Sequence, residues 1–195
     1  MKKIFVVLLF CMSLSAFAQT LKIDFETNDL GWNEYSGKRG EAIIKDGVLH
    51  ISSEKAGLMS ATTYLPIDPH KNFELRAKFL NTKLNDDERG IAVILNYKDD
   101  YNLDYFYITN ETAEYKRIID NEVVRFRYAQ VKMDKKLKDH DLTVKSTFGK
   151  LEFIVDAMKC LEVRFAPLQY TGFGLGVYSG DGNQVADIDE LVIIQ

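Results

Sequence analysis

Apolar residues recur at every second position through most of this chain, and that period constrains the fold more than any other feature. Phe73, Leu75, Ala77 and Phe79 fall on one side of an extended segment, with Glu74, Arg76 and Lys78 on the other. Leu142 and Val144 repeat the pattern against Thr143 and Lys145. So do Leu151, Phe153 and Val155 against Glu152, Ile154 and Asp156, and Leu161, Val163 and Phe165 against Glu162 and Arg164. Each segment has one face for a core and one for water. The run 91–95 is apolar at every position, which predicts a central strand covered on both sides. Further strands are expected around 21–26, 42–45, 47–52, 61–65, 103–109, 115–119, 123–128, 173–178 and 186–194.

Turn signals separate these runs at short intervals: Asp46-Gly47, Pro66 with Pro69, Asn85-Asp86-Asp87, the stretch 96–100, Phe148-Gly149-Lys150 and Gly180-Asp181-Gly182-Asn183. Asp46-Gly47 and Phe148-Gly149-Lys150 have the character of hairpin connections, since glycine accepts positive φ without a Cβ clash. No stretch holds a 3.6-residue period for three turns; the segment 130–138 reads as a charged loop or as one or two helical turns. Many short strands and no Pro/Gly/Ser-rich linker predict an all-β chain, folded as one two-sheet antiparallel β-sandwich. A doubly wound α/β sheet is excluded by the wet faces, and a propeller or solenoid by the lack of a repeat of 20–50 residues.

The first eighteen residues follow a different rule. Lys2 and Lys3 precede an apolar run at 4–14, and Ala16 and Ala18 then place small residues two apart. This is the pattern of a secretory signal peptide cut after Ala18, leaving 19–195 as a single domain that is exported to the periplasm or beyond the cell. The apolar run is shorter than the ~20 residues a membrane span needs, and Phe10 and Leu9 before Cys11 do not suit a lipidation site. Without the leader, 23 basic residues face 29 acidic ones, a formal net charge of −6, and Cys160 is the only cysteine. No internal disulfide can then form, and Cys160, beside Leu161, is expected to be buried. The acidic balance argues against nucleic acid, and Lys135, Lys136 and Lys138 are interleaved with Asp134, Asp139 and Asp141 as on a solvated loop.

Four segments together resemble the concanavalin A-like lectin/glucanase superfamily, and within it the secreted bacterial single-domain jelly rolls. They are Phe25-Glu26-Thr27-Asn28-Asp29-Leu30-Gly31-Trp32 with the 46–51 hairpin; 73–79 leading to 90–97 and 101–106; Leu142-Thr143-Val144 with 149–156; and 172–178 closing with 186–193. The resemblance spans about residues 21–194. At 156–159 this chain has Asp-Ala-Met-Lys, where the superfamily usually has Asn-Gly after the strand. The resemblance implies a jelly roll, a fold that hosts lectins, glycan-binding modules, glycosidases and structural domains.

Candidate chemistry follows from the residues themselves. A retaining glycosidase needs two carboxyl groups about 5–5.5 Å apart, and the superfamily's Glu-x-Asp-x-(x)-Glu strand is absent here. Asp187 and Asp189 would share one strand face about 6–7 Å apart in a regular strand. If the first and last strands are neighbours, Asp24 or Glu26 would meet Asp187 or Asp189, hard oxygens that with a backbone carbonyl suit Ca²⁺. His50, His70 and His140 lack metal-ligand spacing, and Gly172-x-Gly174-x-Gly176 has no following helix to make a dinucleotide site. Tyr97 and Tyr101, with Asn96 and Asn102 beside them, are the candidate ligand-binding residues: rings stack on the apolar faces of sugars, and amides bond hydroxyls. Trp32, after Gly31, is expected to lid the core. The leading expectation is an exported, non-catalytic β-sandwich that recognises a glycan or a cell-surface partner. A glycoside hydrolase-like enzyme acting on a di- or oligosaccharide, and a structural or assembly domain without a small ligand, are the alternatives.

Overall fold

A computed structural model describes residues 19–84, 88–164 and 168–195. Among them are fifteen strands and no helix. In chain order they are β1 (Thr20–Ile23), β2 (Tyr35–Gly37), β3 (Gly40–Lys45), β4 (Val48–Ser53) and β5 (Gly57–Tyr64). Then come β6 (Phe73–Leu80), β7 (Arg89–Asp99), β8 (Asn102–Ile108), β9 (Thr112–Ile119) and β10 (Glu122–Gln130). The last five are β11 (His140–Thr147), β12 (Lys150–Val155), β13 (Met158–Arg164), β14 (Gly172–Ser179) and β15 (Gln184–Ile194). The expected leader 1–18, the turn at 85–87 and Phe165 lie outside the described residues.

All pairings are antiparallel and form two sheets. One runs β13-β12-β11-β6-β15-β4-β3-β2, with β1 also on β15; the other runs β10-β9-β8-β7-β14-β5. The chain is thus a two-sheet β-sandwich, as the alternation requires. First and last strands are neighbours, Leu21 opposite Ile193 and Ile23 opposite Leu191. The inward faces make one core, in which Phe106 of the six-stranded sheet stacks on Phe153 of the other at 4.2 Å and 7°. Cys160 is buried there, and burial pushes its thiol up to about 11. Trp32 lies in the core against Phe25 (5.7 Å) and Phe173 (6.1 Å). Asn28 holds its backbone in place, accepting from the Trp32 backbone N–H at 2.6 Å and donating to the Trp32 carbonyl at 3.1 Å.

Hairpins follow the turn chemistry. Asp46-Gly47 (φ 53° and 75°) and Phe148-Gly149 (46° and 78°) are two-residue connections with both residues left-handed, the form whose twist matches the strands. Asp156-Ala157 (51° and 63°) adopts the same form without a glycine. Three expectations shift. The first strand stops at Ile23, because Phe25 turns left-handed (φ 56°) to enter the core. The 96–100 stretch belongs largely to β7, which runs on to Asp99 past an irregularity where Asn96 has φ 53°. In β15 the register shifts between Ile188 and Glu190, so Asp189 is a bulge residue and the inward set passes from Ile188 to Leu191.

Candidate functional site

The outward face of the six-stranded sheet carries the ring-bearing side chains. Phe106 and Ile108 of β8 point to the core, so Leu103, Tyr105 and Tyr107 point away from it. Tyr107 stacks on Tyr178 of β14 at 4.6 Å and on Tyr105 at 6.2 Å. The Lys116 ammonium of β9 lies 5.6 Å from each of the Tyr105 and Tyr107 ring centres and 5.5 Å from that of Phe126, and 3.0 Å from Glu114. Burial alone would lower its pKa; the bond to Glu114 and the fields of Tyr105 and Glu114 carry it above the ordinary lysine value. This cation binds the strip of aromatics into one unit.

Between this strip and β5 runs a groove of about 510 Å³. Tyr97, Tyr105, Tyr178, Ile94 and Leu58 supply apolar surface; Ser60, Thr62, Asn33, Arg39 and Asp100 supply polar groups. Between β5 and β7 lies β14. That strand places large residues inward (Phe173, Leu175, Val177) and Gly174 and Gly176 outward. A Cβ on Gly174 would come within 3.0 Å of Thr62 Cγ2 and 3.2 Å of Ile94 Cβ; one on Gly176 would meet the Met59 carbonyl at 2.6 Å and Ser60 Cβ at 2.9 Å. Side chains from β5 and β7 therefore close over a bare strand. Tyr97 forms one wall, its hydroxyl donating to Asp100 at 3.1 Å; burial and then the Asp100 charge raise its pKa. A larger hollow of about 880 Å³, at Asn110–Thr112 and 130–136, is lined largely by charged and polar groups, with Tyr128 as its one ring among the described residues.

Of the four expected ligand residues, the structure places only Tyr97 in the groove lining. Tyr101 stands beside Asp100 at the β7–β8 turn, 60% exposed. Asn96 is a backbone clamp: its Oδ1 accepts from the N–H groups of Gln169 (2.9 Å) and Tyr170 (3.0 Å). Asn102 donates to Asp99 at 2.9 Å and accepts from the Asp120 N–H at 3.1 Å, tying two hairpins together. Residues unforeseen at the site, Tyr105, Tyr178, Arg39 and the β5 hydroxyls, converge from strands far apart in sequence. The one local signal was glycine at every second position of β14.

The three carboxylates expected at a metal do not converge on one. Asp187 is held by His50 Nδ1 at 2.6 Å and by Asn81 Nδ2 at 3.0 Å. Asp189 is exposed on its bulge, which removes the regular spacing that would have paired it with Asp187. Asp24 accepts from the Glu26 N–H at 3.2 Å. The positive charge among them is the Lys22 ammonium, paired with Glu190 and raised in pKa first by that bond and also by the fields of Asp189 and Asp24. Among the described residues no group of three or more carboxylate, imidazole or thiol side chains is placed to hold a metal ion.

The sequence matches no family model and no curated protein. Among solved structures, the chain is similar to a legume lectin-like domain from Entamoeba histolytica (TM-score 0.61, 16% identity, 83% of this chain and 88% of that one). It is similar to the exoplasmic/lumenal domain of VIP36 in its Ca²⁺/Man3GlcNAc-bound form (0.62, 15%, 88% and 86%). It is also similar to the Crh5 transglycosylase (0.60, 13%, 89% and 83%). The chain therefore shares the two-sheet β-sandwich fold of these lectin-like domains and of that transglycosylase.

Proposed function

We propose that this protein is an exported, non-catalytic module that binds a glycan in the groove between β5 and the tyrosine strip. The observation that carries this reading is the groove itself: three tyrosine rings and four aliphatic side chains beside hydroxyls, an amide and two opposite charges, in a hollow of about 510 Å³. A sugar presents an apolar C–H face and a rim of hydroxyls, and this lining can desolvate the first while bonding the second. Retaining hydrolysis needs two close carboxylates; Asp100 is the one carboxylate lining the groove among the described residues, so recognition is preferred over turnover. Export rests on Lys2, Lys3, the 4–14 run and Ala16-x-Ala18.

A glycan array followed by calorimetric titration tests the reading. Tyr97→Ala and Tyr178→Ala should each weaken binding of an array hit by about tenfold, with the melting temperature recorded alongside to separate lost contacts from lost fold. Affinity unchanged in both folded variants would move the site elsewhere.

A further inference from the structure

The groove has a polarity along its length. The Arg39 guanidinium lies beside Gly57, 3.9 Å from where a Cβ would stand, and Gly57 pairs with Ser179 at one end of β14. Tyr97, which donates to Asp100, pairs with Gly172 at the other end. Seven steps of extended strand separate Gly172 from Ser179, about 24 Å at the antiparallel rise. The two charged residues of the lining thus stand at opposite ends.

They also differ in how they are engaged. Asp100 already accepts from Tyr97. Among the other arginines, Arg76, Arg89 and Arg117 hold carboxylates, and Arg125 and Arg127 hold backbone carbonyls. The Arg39 side chain bonds nothing among the described residues, a freedom shared only with Arg164 on β13 of the other sheet. Its backbone is nonetheless fixed. The Arg39 carbonyl accepts from the Glu54 N–H at 2.9 Å, and Gly40 (φ 131°) packs so closely that a Cβ would lie 2.0 Å from the Ser52 carbonyl oxygen. An anchored turn therefore presents a planar, permanently charged five-donor fork with no acceptor among the described residues.

Resting on the glycan-binding reading, we propose that the groove takes an anionic oligosaccharide several rings long, its acidic group seated on Arg39 and its neutral rings running toward Tyr97. The fork matches the paired oxygens of a carboxylate or a sulfate ester. The chain as a whole is acidic, with a formal net charge of −4, so attraction for such a ligand is local to Arg39 and sensitive to salt.

The test is an array of matched neutral, carboxylated and sulfated oligosaccharides, followed by titration of the full chain with cellotetraose carrying a single terminal carboxylate, cellotetraose carrying a single terminal sulfate ester, and unmodified cellotetraose. The acidic probes should bind in preference to cellotetraose, and whichever of the two is favoured identifies the acidic group. Arg39→Gln should weaken that binding at least about tenfold, Arg39→Lys should restore part of it, and raising the salt to about 0.5 M should weaken it further. Arg39 is exposed, so both variants should melt with the parent chain. Acidic affinity unchanged in Arg39→Gln, or array hits that are neutral throughout, overturns the inference. Neutral hits that depend on Tyr97 would do so while leaving the glycan-binding reading standing. Binding to no oligosaccharide of any class would remove both.

Discussion

Replacing Asp104 with alanine should cost this fold about 3–5 kcal/mol, because of what the substitution leaves behind. Asp104 lies opposite Arg117 in the β8–β9 ladder and is fully buried, while the Arg117 side chain is 14% exposed. The guanidinium grips both carboxylate oxygens, Nε to Oδ1 at 2.7 Å and the second nitrogen to Oδ2 at 2.6 Å. That bond raises the Arg117 pKa above even the usual arginine value, although burial pulls the other way. Without the carboxylate, a cation that cannot shed its proton stays within the sheet interior. Urea or thermal unfolding should show the loss; at about 2–4 °C per kcal/mol for a chain of this size, the melting temperature should fall by about 6–20 °C. Asp104→Leu with Arg117→Met, which removes both charges, should cost less than Asp104→Ala alone. The exposed pair Lys71–Asp68, 3.9 Å apart, supplies the contrast: Lys71→Ala should stay within about 0.5 kcal/mol. A loss below about 1 kcal/mol in Asp104→Ala, or a double variant weaker than the single, would refute the reasoning. Leu103 and Tyr105, on either side of Asp104, line the groove, so the same pair also fixes one wall of the site.

Ala157→Gly should raise stability by about 1 kcal/mol, and the melting temperature by about 2–4 °C, since Ala157 holds φ 63° in a turn where glycine carries no Cβ penalty; an unchanged or lower melting point would count against the strain. The Glu162 carboxyl is held at about 2, against an ordinary 4.5, first by the Lys150 bond and then by Lys159. Its folded pKa is depressed, so its contribution is complete above about pH 4.5 and is lost as the pH falls toward about 2. Glu162→Gln should flatten the dependence of melting temperature on pH in that window, and added salt should do the same because the group is exposed. Parallel curves for the two proteins would mean that the ion pairs contribute nothing.

Alternation made most of the framework legible, because a sandwich strand shows its buried face at every second residue. Phe73–Phe79 and Leu151–Val155 needed nothing more. β2 escaped because Tyr35-Ser36-Gly37 has no apolar face and is exposed throughout. The bulge at Asp189 was visible in principle, since Ile188 and Leu191 are three apart where the period demands two. The polar end of β7 passed for a turn because its pairing with Gly172 and Asn102 depends on partners distant in sequence. The same cause hid most of the groove. It exists because β14 inserts between β5 and β7, a neighbourhood that no local pattern encodes. Tyr97 could be singled out by composition, whereas Arg39 and Tyr178 acquire meaning only from that strand order. Asn96 and Asn102, polar and near tyrosines, were taken up by backbone groups and by the Asp99 carboxylate, partners that a linear reading cannot place.

The seating of Trp32 has a photophysical consequence. It is the single indole of the chain, 3% exposed, held by Asn28 and enclosed by Phe25 and Phe173 on the interior side of the β-sandwich. Tyr97, Tyr105 and Tyr178 lie on the far side of the six-stranded sheet. Excitation at the red edge of aromatic absorption therefore selects one buried emitter, whose wavelength reports whether the two sheets are closed on each other and is silent about what rests on the outer face. Three of the ten tyrosines line the groove, so tyrosine emission and absorbance carry a contribution from it. Unfolding and occupancy can thus be followed in the same cuvette on separate optical channels, without a dye, a label or an added chromophore.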